Sequence, residues 1–159
     1  MQIWFECKVQ YFKSGEDGRE RKVTEIYLVD AVSFTDAETR IIRQMQSMVK
    51  GDFAVTDIKK SRIGDVFPYD NGEWWFKASI NLVTIDEEAG KEKKVKAYYL
   101  VMADDIGQAL KRLDESLEYL VIPYIVSSLA VSTIVDIYPY DAAEARIPEG
   151  FRKVEEEEN

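Results

Sequence analysis

The chain is written twice, and this limits its folds more than any single motif does. Val66-Phe67-Pro68-Tyr69 returns 71 residues later as Ile137-Tyr138-Pro139-Tyr140; at the same offset Trp4-Phe5 falls on Trp75-Phe76, Val55 on Val126, Ser61 on Ser132 and Asp65 on Asp136. Between these blocks Lys22-Val23, Leu28-Val29, Ala31, Ala37 and Arg40 match Lys94-Val95, Leu100-Val101, Ala103, Ala109 and Arg112 at an offset of 72, so one residue is inserted midway. A unit this small would leave much of its apolar surface in water if it folded alone. The repeat therefore predicts two halves, residues 3–69 and 74–140, that share a core about a pseudo-twofold axis. The joint Asp70-Asn71-Gly72-Glu73 is too brief to be a flexible linker between independent domains.

Each half reads strand, strand, helix, long strand. In the first, Ile3, Phe5, Cys7, Val9 and Tyr11 alternate with Trp4, Glu6, Lys8 and Gln10 at the period of a half-buried strand. Ser14-Gly15-Glu16-Asp17-Gly18 has the residues of a hairpin turn, and Val23 to Val29 returns. Thr35-Asp36-Ala37-Glu38 fits a capping box, Phe34, Ala37, Ile41, Met45 and Met48 recur at helical spacing, and Gly51 is the expected stop. Phe53 to Phe67 is extended, but Lys59-Lys60-Ser61-Arg62 and Gly64 interrupt its apolar pattern and predict a bulge, bend or break.

The second half repeats this order. Trp75 to Thr84 and Val95 to Met102 flank a turn at Asp86 to Gly90, and a helix starting near Asp104 or Asp105 carries apolar residues as far as Leu120. Tyr124 to Tyr138 is much more apolar than its counterpart and reads as a central strand buried on both faces. The expected fold class is thus α+β: a tandem duplication of a β-β-α-β unit, mainly antiparallel, with helices packed on the sheet. Residues 1–140 are expected to form a single compact domain. Residues 141–159 read as a short helical piece followed by a polar, acidic tail that is frayed or disordered.

Composition removes much chemistry. With no histidine among 159 residues and Cys7 as the lone cysteine, Ser-His-Asp and Cys-His pairs, histidine metal ligation, internal disulfides and multi-cysteine metal sites are all excluded within the chain. The net charge of −9 opposes general attraction to nucleic acid or to an anionic membrane. No apolar run reaches the roughly 20 residues of a membrane span and the amino terminus lacks the order of a secretory signal, so a cytoplasmic location is expected. No Gly-rich phosphate loop, nucleophile elbow or calcium-loop pattern occurs, and no cofactor is called for.

The remaining candidates are carboxylates, aromatics and a few bases. Asp65 and Asp136 hold equivalent places before the recurring aromatic-proline-tyrosine ends, where a pseudo-twofold would bring them together as an acid–base or metal-binding pair; capping a turn at a strand end is the simpler account. Lys59, Lys60 and Arg62 form a basic patch that either contacts nucleic acid or guards an exposed strand edge. Trp74 and Tyr98 have no aromatic counterparts in the first half, where Ile3 and Ile26 stand, which marks them as candidates for a specific aromatic surface. Cys7 falls on the apolar phase of its strand and reads as a buried, inert thiol.

Trp4-Phe5-Glu6-Cys7-Lys8-Val9, followed by Lys22-Val23-Thr24-Glu25, Leu28-Val29-Asp30-Ala31 and Phe34-Thr35-Asp36-Ala37-Glu38, resembles an uncharacterised family of small Bacteroidota proteins defined by a domain of unknown function. Asp136-Ile137-Tyr138-Pro139-Tyr140 fits it too, so the likeness spans nearly all of the chain to Tyr140. The resemblance implies a bacterial, intracellular protein, with phage or other mobile-element cargo as one setting. It supplies no activity, catalytic residue or cofactor. The leading expectation is a non-enzymatic protein-interaction or assembly module, binding another protein or itself. A carboxylate-dependent, metal-assisted hydrolase and a nucleic-acid accessory protein are the alternatives.

Overall fold

The computed structural model describes residues 3–140; the expected acidic tail, 141–159, lies outside the described residues. β1 (Trp4–Ser14) and β2 (Glu20–Asp30) make an antiparallel hairpin in which Trp4 faces Asp30 and Ser14 faces Glu20. Phe5, Cys7 and Val9 follow the period of the pleat and are fully buried. Gly18 closes the turn at φ 76°, a left-handed conformation that costs other residues roughly 1–2 kcal/mol.

α1 (Phe34–Met48) lays Ala37, Ile41 and Met45 on the first hairpin. Its cap sits two residues upstream of the expected one. Ser33 is extended, its hydroxyl accepts the Asp36 N–H at 3.1 Å, and the Asp36 carboxylate accepts from Val32 N at 3.0 Å. Thr35 is already inside the helix, where its carbonyl accepts from the Thr39 hydroxyl. The helix stops before Gly51, with Val49 as its extended C-cap.

β3 (Phe53–Lys60) pairs antiparallel with β1, and the interruption expected around Lys59 to Gly64 divides the extended segment into two strands. Ser61 N donates the last bond to Trp4 O at 2.7 Å, the Ser61 hydroxyl then accepts from Ile63 N at 3.1 Å, and β4 (Ile63–Phe67) leaves the sheet. Its partner lies in the second hairpin, formed by β5 (Trp74–Asp86) and β6 (Lys91–Ala103), where β4 pairs parallel with β6.

α2 (Ile106–Ser116) is capped by Asp105, whose carboxylate accepts from Gln108 N at 2.8 Å, while Gln108 Oε1 accepts from Asp104 N, one residue before the cap, at 2.7 Å. The helix is shorter than its apolar pattern suggests, ending at Ser116 rather than near Leu120. β7 (Tyr124–Val131) pairs antiparallel with β5. Ser132 N donates to Trp75 O at 2.7 Å, and β8 (Ile134–Tyr138) crosses to pair parallel with β2.

The result is two mixed four-stranded sheets, β3-β1-β2-β8 and β4-β6-β5-β7. α1 covers one face of the first through Phe5, Cys7, Val9 and Ile41; α2 covers one face of the second through Ala78, Ile80, Leu113 and Leu117. Their other faces meet through Trp4, Leu28 and Ile134 from the first sheet and Ile63, Trp75 and Leu100 from the second. The segment Tyr124 to Tyr138 is not a central strand. It splits into β7 and β8, each at the edge of a different sheet, with Ile125, Val131 and Val135 exposed. Apolar content misplaced it because a strand's position in a sheet depends on partners far away in sequence.

The joint between the hairpin units is held tightly. The buried Arg112 guanidinium donates to Asn71 O at 2.7 Å, Asn71 Oδ1 at 2.7 Å and Met102 O at 2.8 Å, and lies 4.4 Å from the Tyr69 ring centroid. Arg40, 72 residues before Arg112, lies 4.4 Å from the Tyr140 ring centroid and donates to Pro139 O at 3.0 Å.

Candidate functional site

Asp65 and Asp136 stand on edge strands of different sheets, opposite Tyr99 and Tyr27 respectively. Each carboxylate accepts the N–H of the following residue at 2.8 Å, Val66 for Asp65 and Ile137 for Asp136. Among the described residues no group of three or more His, Cys, Asp or Glu converges to hold a metal ion. Lys59 and Lys60 sit near the end of β3, across from Glu6 and Phe5, while Arg62 has left that sheet and places its guanidinium 5.6 Å from the Tyr98 ring centroid. Lys77 Nζ lies 5.2 Å from the same ring.

Trp74 is half-exposed at the start of β5, in phase with the helix-facing Phe76 and Ala78. Tyr98 pairs with Ser79 and packs with Trp75 and Leu100, on the face turned toward the first sheet. Trp74 and Tyr98 are therefore on opposite faces of one sheet and do not form a joint aromatic surface. Cys7 is buried, and desolvation, with a smaller push from Asp57, raises its thiol to about 12.

A cluster that sequence reasoning missed lies on the first hairpin. The Tyr11 and Tyr27 hydroxyls both donate to Glu25 Oε1, Tyr27 at 2.8 Å, while Tyr138 from β8 stacks on Tyr27 with centroids 5.5 Å apart and donates to Met48 Sδ at 3.2 Å. Burial first, then the Glu25 hydrogen bond, pushes Tyr11 up to about 12. Burial, then Asp136, does the same for Tyr138, and Tyr27 is shifted further in the same direction. At neutral pH all three hydroxyls are donors, unsuited to abstracting a proton. The available signal was Glu25 itself, a carboxylate in phase with the inward residues Tyr27 and Val29. Near this cluster a groove of about 780 Å³ runs between the hairpin and the α1–β3 connection, with Tyr11, Phe12 and Met48 beside Lys13, Lys22 and Lys50.

The largest departure between the long edge strands concerns charge. β3 and β7 hold the same register on their neighbours: Phe5 faces Lys60 as Phe76 faces Val131, and Val9 faces Val55 as Ile80 faces Val126. Each has a bulge at the same place, where Thr56 donates to Lys8 O and Ser127 to Ser79 O. Yet β3 presents Asp57, Lys59 and Lys60, where β7 has Ser128, Ala130 and Val131. Tyr119, Val121 and Ile122 just before β7 are exposed, Val121 at 97%, as are Ile125 and Val131 within it. On α2, which packs against β7, Ile106 and Leu110 also face water; the first half has Phe34 and Glu38 at those places.

These features define an α+β protein of two mixed sheets, each backed by one helix, with an uncharged sheet edge as its most distinctive surface. Residues 3–140 match the family described as Domain of unknown function (DUF4494), and the chain belongs to that family. Neither curated proteins nor solved structures give a match to the chain. Among the described residues, no helix is long and apolar enough to cross a membrane.

Proposed function

We propose that this chain is a non-enzymatic protein-interaction module, built by duplication of one β-β-α-β unit whose copies, residues 3–69 and 74–140, exchange their last strands about a pseudo-twofold axis. The matched registers of β3 and β7, the two serine turns at Ser61 and Ser132, and the stacked pairs Tyr27–Tyr138 and Phe67–Tyr99 support the duplication. One observation carries the interaction reading. Exposed apolar side chains gather in residues 119–131, on and before an edge strand without charge, whereas the equivalent edge of the first half is charged. An unguarded edge with apolar flanks is the surface by which sheets add a strand from a partner.

The test is site-specific photo-crosslinking in cells of the source organism. A photoreactive residue at Val121, Ile125 or Val131 is expected to give a discrete protein adduct, and one at Glu16 in the first hairpin turn is not. Absence of any adduct from all three edge positions overturns the reading.

A further inference from the structure

We infer that the partner of β7 is β7 of a second copy, paired antiparallel about a two-fold axis so that two β4-β6-β5-β7 sheets become continuous. This deepens the interaction reading and rests on it. One observation favours a second copy as the occupant, and two mark β7 as the edge that it pairs.

The first is charge. The chain carries −9, so two copies repel each other across most mutual orientations, and a two-fold contact sets each patch against itself. A strand reading Tyr124-Ile-Val-Ser-Ser-Leu-Ala-Val131 has no charge to oppose its own copy. β3 in the same arrangement would carry Asp57, Lys59 and Lys60 into the seam and strip them of water.

The second is protection. The bulge at Ser127 blunts an edge, but β3 has the same bulge at Thr56 and still carries three charges. β8 and β4 are short edges of five residues, each carrying an aspartate. β7, at eight residues, lacks both charge and brevity.

The third is side-chain placement. Ile125 and Val131, each about half-exposed, lie at opposite ends of β7 and, through the bulge between them, on opposite faces of the sheet, Ile125 in register with Asn81 and Val131 with Phe76, so antiparallel pairing lays one apolar side chain on each face at both ends of the seam. Val131 is in register with Phe76 on the face covered by α2, a helix on which Ile106 and Leu110 are also exposed. Tyr119 and Val121 flank the other end of the strand.

The experiment transplants the guard of β3 onto β7. Sedimentation equilibrium of the full chain is expected to show a dimer, and the Ser128→Asp, Ala130→Lys, Val131→Lys variant to dissociate at least tenfold more readily with unchanged circular dichroism. Lys59→Ala on β3 should leave the dimer intact. Val131→Lys alone serves if the triple variant misfolds, and amide exchange in β7 that slows as wild-type concentration rises reports the contact without substitution. A monomer at all soluble concentrations, with β7 exchange independent of concentration, overturns the inference; so does a folded triple variant that remains as dimeric as wild type. If the wild type is monomeric but edge crosslinking yields a different protein, this inference fails and the interaction reading stands. If crosslinking also yields nothing, both fail.

Discussion

Glu25 joins two of the tyrosines that tie the chain's stability to alkaline pH. Its carboxylate accepts from both Tyr11 and Tyr27, and the ionised form of either phenol would stand against it. Tyr11 moves from 10.0 to about 12 on folding, by desolvation first and Glu25 second, and Tyr138 moves to about 12 by desolvation and Asp136. A raised folded pKa means that the unfolded chain loses its proton first. The corresponding stability is fully present below about pH 10 and is lost as pH rises toward 12. Urea midpoints measured from pH 8 to 11.5 should therefore hold level and then fall, and Tyr11→Phe should make the fall shallower. An identical fall in the variant would show that Tyr11 contributes nothing to it.

At the scale of elements, the helix caps show where local sequence decides and where it only suggests. Thr35-Asp36-Ala37-Glu38 and Ser33-Phe34-Thr35-Asp36 both have a hydroxyl with a carboxylate three residues on, and the backbone selects the second because Ser33 is extended while Thr35 is helical. Ser33→Ala should cost about 1 kcal/mol and Thr35→Ala only a few tenths, read from urea midpoints. Equal losses would return the cap to Thr35. The strands of both hairpins were legible because a pleat of period two and a turn glycine are local features; so was the interruption after Lys60. That Ser61 marks a crossing into the other sheet was not legible, because the partner of β4 is Tyr98 to Val101, more than thirty residues away. The same limit explains β7: apolar residues announce contact but not whether the contact is a neighbouring strand or a surface left open. Asp65 and Asp136 stand 71 residues apart before similar aromatic-proline-tyrosine ends, but their placement on separate sheets is a consequence of the same two crossings.

For the whole molecule, the crossings decide cooperativity. β8 takes its hydrogen bonds from β2, and β4 takes its own from β6, so each sheet is completed by a strand lying across the joint at 70–73. Their inner faces also meet through Trp4, Leu28, Trp75 and Leu100. A fragment ending at Asp70 keeps β1, β2, α1 and β3 but has no β8 beside β2 and leaves Ile63 and Val66 of β4 in water. The fragment starting at Asn71 lacks β4 beside β6 in the same way. Neither fragment is expected to give a cooperative thermal transition alone, because each buries too little of its apolar surface. Mixed in equal amounts they should regain the circular dichroism of the intact chain, since every lost bond is restored between them, with stability that now depends on concentration. Heteronuclear NMR of each fragment separates the outcomes: dispersed amide resonances from either one alone would mean that a half folds without its exchanged strand. The joint itself argues against that result, since Gly72 has Met102 Cγ at 2.6 Å and Ala103 N at 2.9 Å from where a Cβ would stand, and Asn71 is gripped by Arg112. A connection packed this closely is expected to unfold together with the parts that it joins.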